Sequence, residues 1–138
     1  MKKNRPLIGT WVFVIKEWKF LLGKRKSNFW DWKWCLPWWH LEFWETLEEC
    51  WKRETLEESW VIVKDIEFLW ISNDITENKH YVTIFMKSNY DYWKAIITDF
   101  DEFYEWNWVD LDSLPNNLFE IFSNFLDNNR DIIEKILL

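Results

Sequence analysis

The chain has 138 residues, the length of one domain. Its residues are 49% hydrophobic and 30% charged, which is enough apolar material for one core and excludes a disordered chain. The formal net charge is −7, with the acidic residues spread along the sequence. A polymeric nucleic acid needs a basic face to bind, so it is excluded as a partner. We therefore predict a single domain over residues 1–138.

The first apolar run, Leu7 to Ile15, superficially resembles a signal peptide because it follows Met1-Lys2-Lys3. Lys16-Glu17 follows it instead of a small-residue cleavage site. The run is also too short to cross a membrane. Cys35 and Cys50 form no CxxC or CxxH pattern, which indicates two reduced thiols. These features predict a cytoplasmic protein without a membrane partner.

Short apolar runs separated by polar turns fill the sequence before Thr46, a pattern typical of β-strands. Tryptophan lies at the expected turns and loops, in Glu17-Trp18 and in Trp38-Trp39. Turns prefer Gly, Asn or Asp because these residues tolerate positive φ. The predicted strands are Leu7 to Ile15, Lys19 to Lys24 and Trp34 to Leu36, the last ended by Pro37.

A helix is predicted from Thr46 to about Ser59, because Thr46-Leu47-Glu48-Glu49 is a capping box. A second helix is predicted over Asn116 to Leu138, with a break at Asp127-Asn128-Asn129. Strands flanking one helix, with another helix at the end, favour a mixed sheet between helical layers. The further predicted strands are Val61 to Ile71, Tyr81 to Lys87, Ala95 to Thr98 and Tyr104 to Asp110.

The first helix carries three acids, Glu54, Glu57 and Glu58, at i, i+3 and i+4 spacing, so that like charges crowd one patch. One interpretation is a solvated, acidic helix end. The other is a hard divalent cation, since Mg²⁺ or Mn²⁺ prefers carboxylate oxygens and keeps waters for a phosphorylated substrate.

The full spacing around these acids resembles the signature of the Nudix hydrolases, a long and specific motif. Trp39 and Trp60 stand where the signature has glycine, and Thr55 stands where it has an apolar residue. The resemblance covers roughly Arg5 to Pro115. The residues that match the signature are Glu45, Arg53, Glu54, Glu57, Glu58 and Val61.

Flanking segments extend the resemblance to the branch of the family that hydrolyses nucleoside triphosphates to monophosphates. They are Leu21 to Lys26, Trp34 to Pro37, His40 to Phe43 and Trp106 to Trp108. The resemblance implies an α/β/α sandwich, with a mixed β-sheet, the catalytic loop–helix–loop on one side and a C-terminal helix. It also implies a Mg²⁺-dependent enzyme, with Mn²⁺ as an alternative, that acts on phosphoric anhydride bonds.

The resemblance implies the following roles. Glu57 and Glu58 would be metal ligands together with the backbone carbonyl of Trp38, and Glu54 would be a ligand or the general base. Arg53 and Glu45 would pair and fix the helix. The remaining candidates are Lys24, Arg25 and His40 for substrate binding, and Asp99, Asp101 or Glu102 as a further acid.

Two other functions remain open. A hydrolase of another nucleoside-diphosphate-linked substrate, ADP-ribose or a nucleotide sugar, would use the same metal site. A non-catalytic, Trp-rich binding module would use exposed indoles to contact a partner. A small nucleotide is the expected partner in the first two cases, and the oligomeric state, monomer or homodimer, is open.

The composition contains 14 Trp and only 2 Gly, although average usage predicts roughly ten glycines. Tryptophan falls on glycine positions of the family pattern. This suggests that the gene has UGA codons at these positions, which the organism translates as Gly and which were translated as Trp in this sequence. Under this hypothesis Trp34 and at least one of Trp106 and Trp108 are well buried, whereas several of the suspect residues lie in turns or loops with positive φ or exposed rings. The suspect positions are Trp11, Trp18, Trp30, Trp32, Trp38, Trp39, Trp44, Trp51, Trp60, Trp70 and Trp93.

Overall fold

The structure is a computed structural model that describes residues 4–26, 32–59, 61–77, 79–93 and 103–137. Within these residues there are seven strands and two helices. No helix in them is long and apolar enough to cross a membrane. The elements are β1 (Leu7–Lys16), β2 (Lys19–Arg25), β3 (Trp34–Cys35), β4 (Trp38–His40), α1 (Leu47–Ser59), β5 (Val61–Ile75), β6 (His80–Trp93), β7 (Phe103–Val109) and α2 (Glu120–Ile136).

The strands form a mixed sheet in the order β3-β2-β1-β6-β5. β1 is its central strand and runs parallel to β6 from Leu7 to Ile15. The other pairs are antiparallel, including β4 against β1 and β7 against β2. A parallel pair buried between two layers explains the nearly continuous apolar sequence of β1.

Each face of the sheet is covered by one helix. On one face, the hydroxyl of Thr10 in β1 hydrogen-bonds the thiol of Cys50 in α1. On the other face, the rings of Phe13 and Phe85 pack on Phe125 of α2, at centroid distances of 5.9 Å and 4.0 Å. The alternation of side chains along β1 therefore separates the two helical layers. The predicted α/β/α sandwich is confirmed.

Residues Trp38–His40 form a strand, so the prediction of a loop at Trp38-Trp39 was wrong. These residues pair with Gly9, Thr10 and Trp11 of β1. The partner strand supplies the backbone hydrogen bonds, and this long-range pairing is invisible in the local sequence. β5 and β6 also extend beyond their predicted ends, because they pair with each other over most of their length.

The second helix begins at Glu120 rather than at Asn116. The residues before this helix are held extended by backbone hydrogen bonds to Trp34. The Trp34 N–H donates to the Asn117 carbonyl, and the Trp34 carbonyl accepts from the Phe119 N–H. The predicted break within this helix is present as a kink, where Asn129 has φ −135° and ψ 30°. The predicted strand at Ala95 to Thr98 lies outside the described residues.

Gly23 in β2 lies against two aromatic rings of β7. A Cβ atom added there would be 2.7 Å from a ring carbon of Trp106 and 2.8 Å from one of Phe103. We expect Gly23→Ala to lower the free energy of unfolding by about 1–3 kcal/mol, because both rings must move. Urea denaturation measures the change.

Gly9→Ala is the matched control, since the nearest atom to its added Cβ would be a ring carbon of Tyr81 at an ordinary 3.6 Å. Alanine in a strand also loses less conformational entropy than glycine on folding. We expect this variant to be as stable as the parent or more so. Equal losses in the two variants would contradict the close contact at Gly23.

Candidate active site

The helix that carries the signature acids begins with the predicted capping box. The backbone N–H of Glu49 donates to Thr46 Oγ1 at 3.0 Å, and the N–H of Thr46 donates to the Glu49 carboxylate at 3.4 Å. This reciprocal cap satisfies two N–H groups that a helix start leaves without partners. It fixes where α1 begins, and therefore which of its residues share a face.

Two signature acids lie close to Cys50, which is fully buried on the inner face of α1. Burial, together with the hydrogen bond and charge of the neighbouring Glu45 carboxylate, raises the pKa of the Cys50 thiol to about 12. The charge of Glu54 acts in the same direction. The thiol therefore stays protonated. Its raised pKa reflects the two negative charges near this part of the helix.

The chemistry of these side chains is of the type that a hard divalent cation prefers, since carboxylate oxygens are its usual ligands. Glu45 and Glu54 are both partly buried. The described side chains contain no group of three His, Cys, Asp or Glu that could hold a metal ion. The side chains of Arg53, Glu57 and Glu58 lie outside that description, so the predicted ligand set has only Glu54 and the Trp38 backbone within it.

A wall of cationic and aromatic side chains surrounds the indole of Trp38, which stacks on Trp11 on the α2 face of the sheet. The Arg25 guanidinium lies over this ring at 4.9 Å, and the rings of His40 and Tyr81 contact it edge-on at 5.4 Å and 6.0 Å. His40 stacks on Tyr81, with its Nε2 3.3 Å from the phenol oxygen. Strand pairing brings these residues together, since β4 lies against β1 and β1 against β6.

The two ionisable rings of this wall have shifted pKa values, although only Tyr81 is buried and His40 is exposed at the surface. Loss of water contact lowers the pKa of His40, and the charge of Lys79 lowers it further. Burial raises the pKa of Tyr81. Both rings are therefore neutral at neutral pH and offer hydrogen bonds without charge, while Arg25 provides the positive charge of this wall.

Not all of the predicted substrate residues meet here. Arg25 and His40 lie together around Trp38, whereas Lys24 points to the other face of β2. Its ammonium pairs with Glu105 at 3.0 Å and lies over the Trp32 ring at 4.9 Å. The predicted further acids, Asp99, Asp101 and Glu102, lie outside the described residues.

Comparison with known proteins decides the family. The NUDIX domain family matches residues 5–128 of this chain. The chain belongs to the NUDIX family. This membership confirms the predicted enzyme class, a hydrolase that acts on phosphoric anhydride bonds.

Solved structures of Nudix proteins share the fold. The chain is similar to a MutT NUDIX hydrolase of Burkholderia pseudomallei, with 21% identity, a TM-score of 0.80 and coverage of 96% of this chain and 99% of that one. A MutT protein of Methanosarcina mazei Go1 gives 24% identity, a TM-score of 0.76 and coverages of 94% and 98%. The NUDIX domain of Shewanella oneidensis NrtR, complexed with ADP ribose, gives 19% identity, a TM-score of 0.74 and coverages of 94% and 89%.

The site also contains Tyr81, which the sequence placed only in a strand. Its partner across the sheet is Leu7 in β1, and its phenol reaches His40 from β4. A tyrosine in an otherwise apolar strand has a phenol hydroxyl that needs a hydrogen-bond partner when it is buried. Such a signal marks Tyr81 as a candidate, but the local sequence does not identify His40 as its neighbour.

Proposed function

We propose that this Nudix protein is a divalent-metal-dependent pyrophosphohydrolase that cleaves a nucleoside triphosphate to the monophosphate and pyrophosphate. The observation that carries the proposal is the acidic patch around the buried thiol of Cys50 in α1, formed by Glu45 just before the helix and Glu54 on it. Strand β4 connects this patch to Arg25, since the His40 carbonyl lies 4.0 Å from Cys50 Sγ and the Arg25 guanidinium lies over the Trp38 ring. A guanidinium can bind a phosphate. Acids for a metal next to a cationic wall form the arrangement that phosphoryl transfer needs.

Glu54, Glu57, Glu58 and the backbone carbonyl of Trp38 would hold Mg²⁺, with Mn²⁺ as the alternative. When bound, this ion neutralises phosphate charge and makes a coordinated water more acidic. Glu54 is a ligand or accepts a proton from the attacking water. Arg53 would pair with Glu45 and fix the helix, so that the acids stay in position.

Two substrate alternatives remain. ADP-ribose or a nucleotide sugar would be cleaved at its diphosphate bond by the same metal site. The ADP ribose held by the NrtR domain, whose fold this chain shares, supports this class. The products distinguish the two, because pyrophosphate is released only from a triphosphate.

A non-catalytic binding module is the second class of function. Phe43 and Trp44 support it, since both side chains are almost fully exposed, at 88% and 90%, just before α1. Adjacent exposed aromatic side chains favour contact with a partner. Such a module would bind its ligand without metal and without turnover.

The test is a panel of nucleoside triphosphates, ADP-ribose and nucleotide sugars, each with Mg²⁺ and with excess chelator. We expect Mg²⁺-dependent release of pyrophosphate from at least one triphosphate. Turnover of ADP-ribose alone would move the assignment to the second substrate class. Binding without any turnover would support only the non-catalytic binding module.

We further expect a cytoplasmic enzyme. Sedimentation measures whether it is a monomer or a dimer.

We also propose that the suspect tryptophans are glycines encoded by UGA. Trp32 and Trp44 both have φ 68°, in the region that favours glycine, and their side chains are 52% and 90% exposed. Trp18 lies in the β1–β2 turn and is 59% exposed. A glycine site provides no pocket for an indole, which explains these exposed rings.

The buried tryptophans divide less clearly. Trp106 is 6% exposed, as expected for a true tryptophan, but the prediction that Trp34 is well buried was wrong, because it is only partly covered. The suspect residues Trp11 and Trp51 are fully packed in the core. Exposure therefore distinguishes the suspect tryptophans in loops from genuine ones, but it does not distinguish those in the core. For the core positions the codons in the gene are the test.

A further inference from the structure

The hairpin of β5 and β6 exposes apolar side chains on the α1 side of the sheet. Phe85 of β6 packs on α2 and pairs with Trp70 of β5. Because side chains alternate along a strand, the next cross-strand pair, Ile84 and Ile71, points to the α1 side. The same alternation places the other members of this apolar face, which consists of Ile8, Phe68, Ile71, Asn73, Ile75, His80, Val82 and Ile84.

A β-bulge brings the largest side chain of β5 onto this face. Phe68 and Trp70 are opposite two adjacent residues of β6, so Leu69 is an extra residue. In a regular strand Phe68 and Trp70 would share a face, but the bulge turns Phe68 to the side of Ile71. Phe68, Ile71 and Ile75 are between 54% and 70% exposed. None of these three is a suspect tryptophan, so the apolar face is the same in the glycine form.

The apolar face is large enough to be the centre of a protein interface. Single exposed hydrophobic side chains are common, whereas contiguous ones mark interaction sites. With Ile8, which is 42% exposed, and the partly covered Val82 and Ile84, the face has on the order of 400 Å² of apolar surface. This is half of the roughly 800 Å² that each partner of a stable complex buries, and a polar rim supplies the rest.

The distribution of charge favours a second copy of this chain as the occupant. Each copy has a net charge of −7, so two copies repel unless their contact is free of net charge. The apolar face contains no Asp, Glu, Lys or Arg, and the hairpin tip beside it has one acid, Glu77, and one base, Lys79. The two polar side chains of the face contact each other, with His80 Nε2 2.5 Å from Asn73 Oδ1, so a partner can cover them without breaking this hydrogen bond. The same net charge disfavours an anionic membrane surface.

The edge of the sheet favours contact by the face rather than by strand addition. β5 is the last strand in the sheet order. Two irregularities interrupt it, one at Leu69 and one between Lys64 and Glu67, where Asp65 has φ 55°. Such interruptions disfavour pairing of an edge strand with a strand of another chain. Two sheets can still pack face to face, as they do in β-sandwiches.

We propose that the apolar face is the interface of a homodimer, in which two copies pack face to face about a two-fold axis. A two-fold interface uses the same surface on both copies, and a flat, uncharged, apolar face is complementary to itself. Dimer formation is independent of the proposed hydrolysis, because none of the proposed site residues belongs to the apolar face.

Sedimentation velocity of the full chain tests the interface, both as written and with glycine at the eleven suspect positions. We expect a dimer at about 10 µM in both forms. Ile71→Glu places a charge in the contact, and we expect it to raise the dimer dissociation constant at least about 100-fold. Ile75→Glu is a second variant with the same expected direction, at a position that is 70% exposed and where folding is not at risk.

Leu7→Glu is the matched control. Leu7 is 48% exposed, close to the 54% of Ile71, but its partner Tyr81 places it on the α2 side of the sheet. We expect this variant to remain a dimer. Circular dichroism checks that all three variants are folded.

Mixing Ile71→Glu with Ile71→Lys tests the two-fold arrangement. Each variant alone is a monomer because like charges meet, and an equimolar mixture associates again because opposite charges meet. A parent chain that is monomeric at about 100 µM overturns the homodimer and leaves the face to a different partner. A dimer that persists in both Ile71→Glu and Ile75→Glu, an equal loss in Leu7→Glu, or a mixture that stays monomeric also overturns the proposal.

Discussion

Glu54→Gln, in the chain with glycine at the suspect positions, lowers kcat by roughly 10²- to 10⁴-fold if Glu54 is the base. Glu57→Gln lowers it by roughly 10²- to 10³-fold, because a lost ligand weakens the neutralisation of charge in the transition state. The fold survives both changes, since each amide has the size of the acid it replaces. Steady-state kinetics measure kcat, and circular dichroism checks the fold.

Glu48→Gln is the control on the same helix. Glu48 pairs with Lys52 at 2.9 Å, and its side chain is 62% exposed, on a face of α1 away from Cys50. We expect kcat to stay near the parent value, with a stability change of at most about 0.5 kcal/mol. Near-normal turnover in both site variants would remove Glu54 and Glu57 from the active site.

We expect the glycine form to turn over with Mg²⁺ and the chain as written not to, because the indole of Trp38 belongs to the residue whose carbonyl is the proposed metal ligand. In the gene, the codons at the eleven suspect positions are UGA, and those at Trp34, Trp106 and Trp108 are UGG. Codon choice is independent of packing, so this division has no structural explanation. Sequencing of the gene and Mg²⁺-dependent activity of the two forms are the measurements.

A pair of single variants tests the same idea by stability. Trp44→Gly raises the free energy of unfolding by about 1 kcal/mol, since glycine relieves the backbone at φ 68°. Trp106→Gly, at 6% exposure, lowers it by about 3–5 kcal/mol. UGG at the suspect positions, together with robust activity from the chain as written, would establish the tryptophans as genuine and favour the binding module.

Local sequence was sufficient for the start of α1 and for the strands β1 and β2. The cap of α1 needs only Thr46 and Glu49, three residues apart, and its hydrogen bonds form as the pattern predicts. The signature acids follow at fixed helical spacing, so their common face was also predictable. The match of the NUDIX family spans residues 5–128 and therefore includes these acids.

The tertiary structure decided the wall around Trp38 and the cavity of about 540 Å³ that Asp74 and Asn124 line between β5 and α2. Trp38–His40 became a strand because β1 offered backbone partners, although the preceding Pro37 locally favours a loop. Asp74 and Asn124 are fifty positions apart in the sequence, and α2 brings Asn124 over the end of β5. Contacts between distant segments depend on how the whole sheet and both helices pack, whereas a cap or a helical face depends on a few neighbouring residues. The sequence by itself therefore determined the family and the helix that carries the signature acids, and packing alone determined which distant side chains lie together around Trp38 and between β5 and α2.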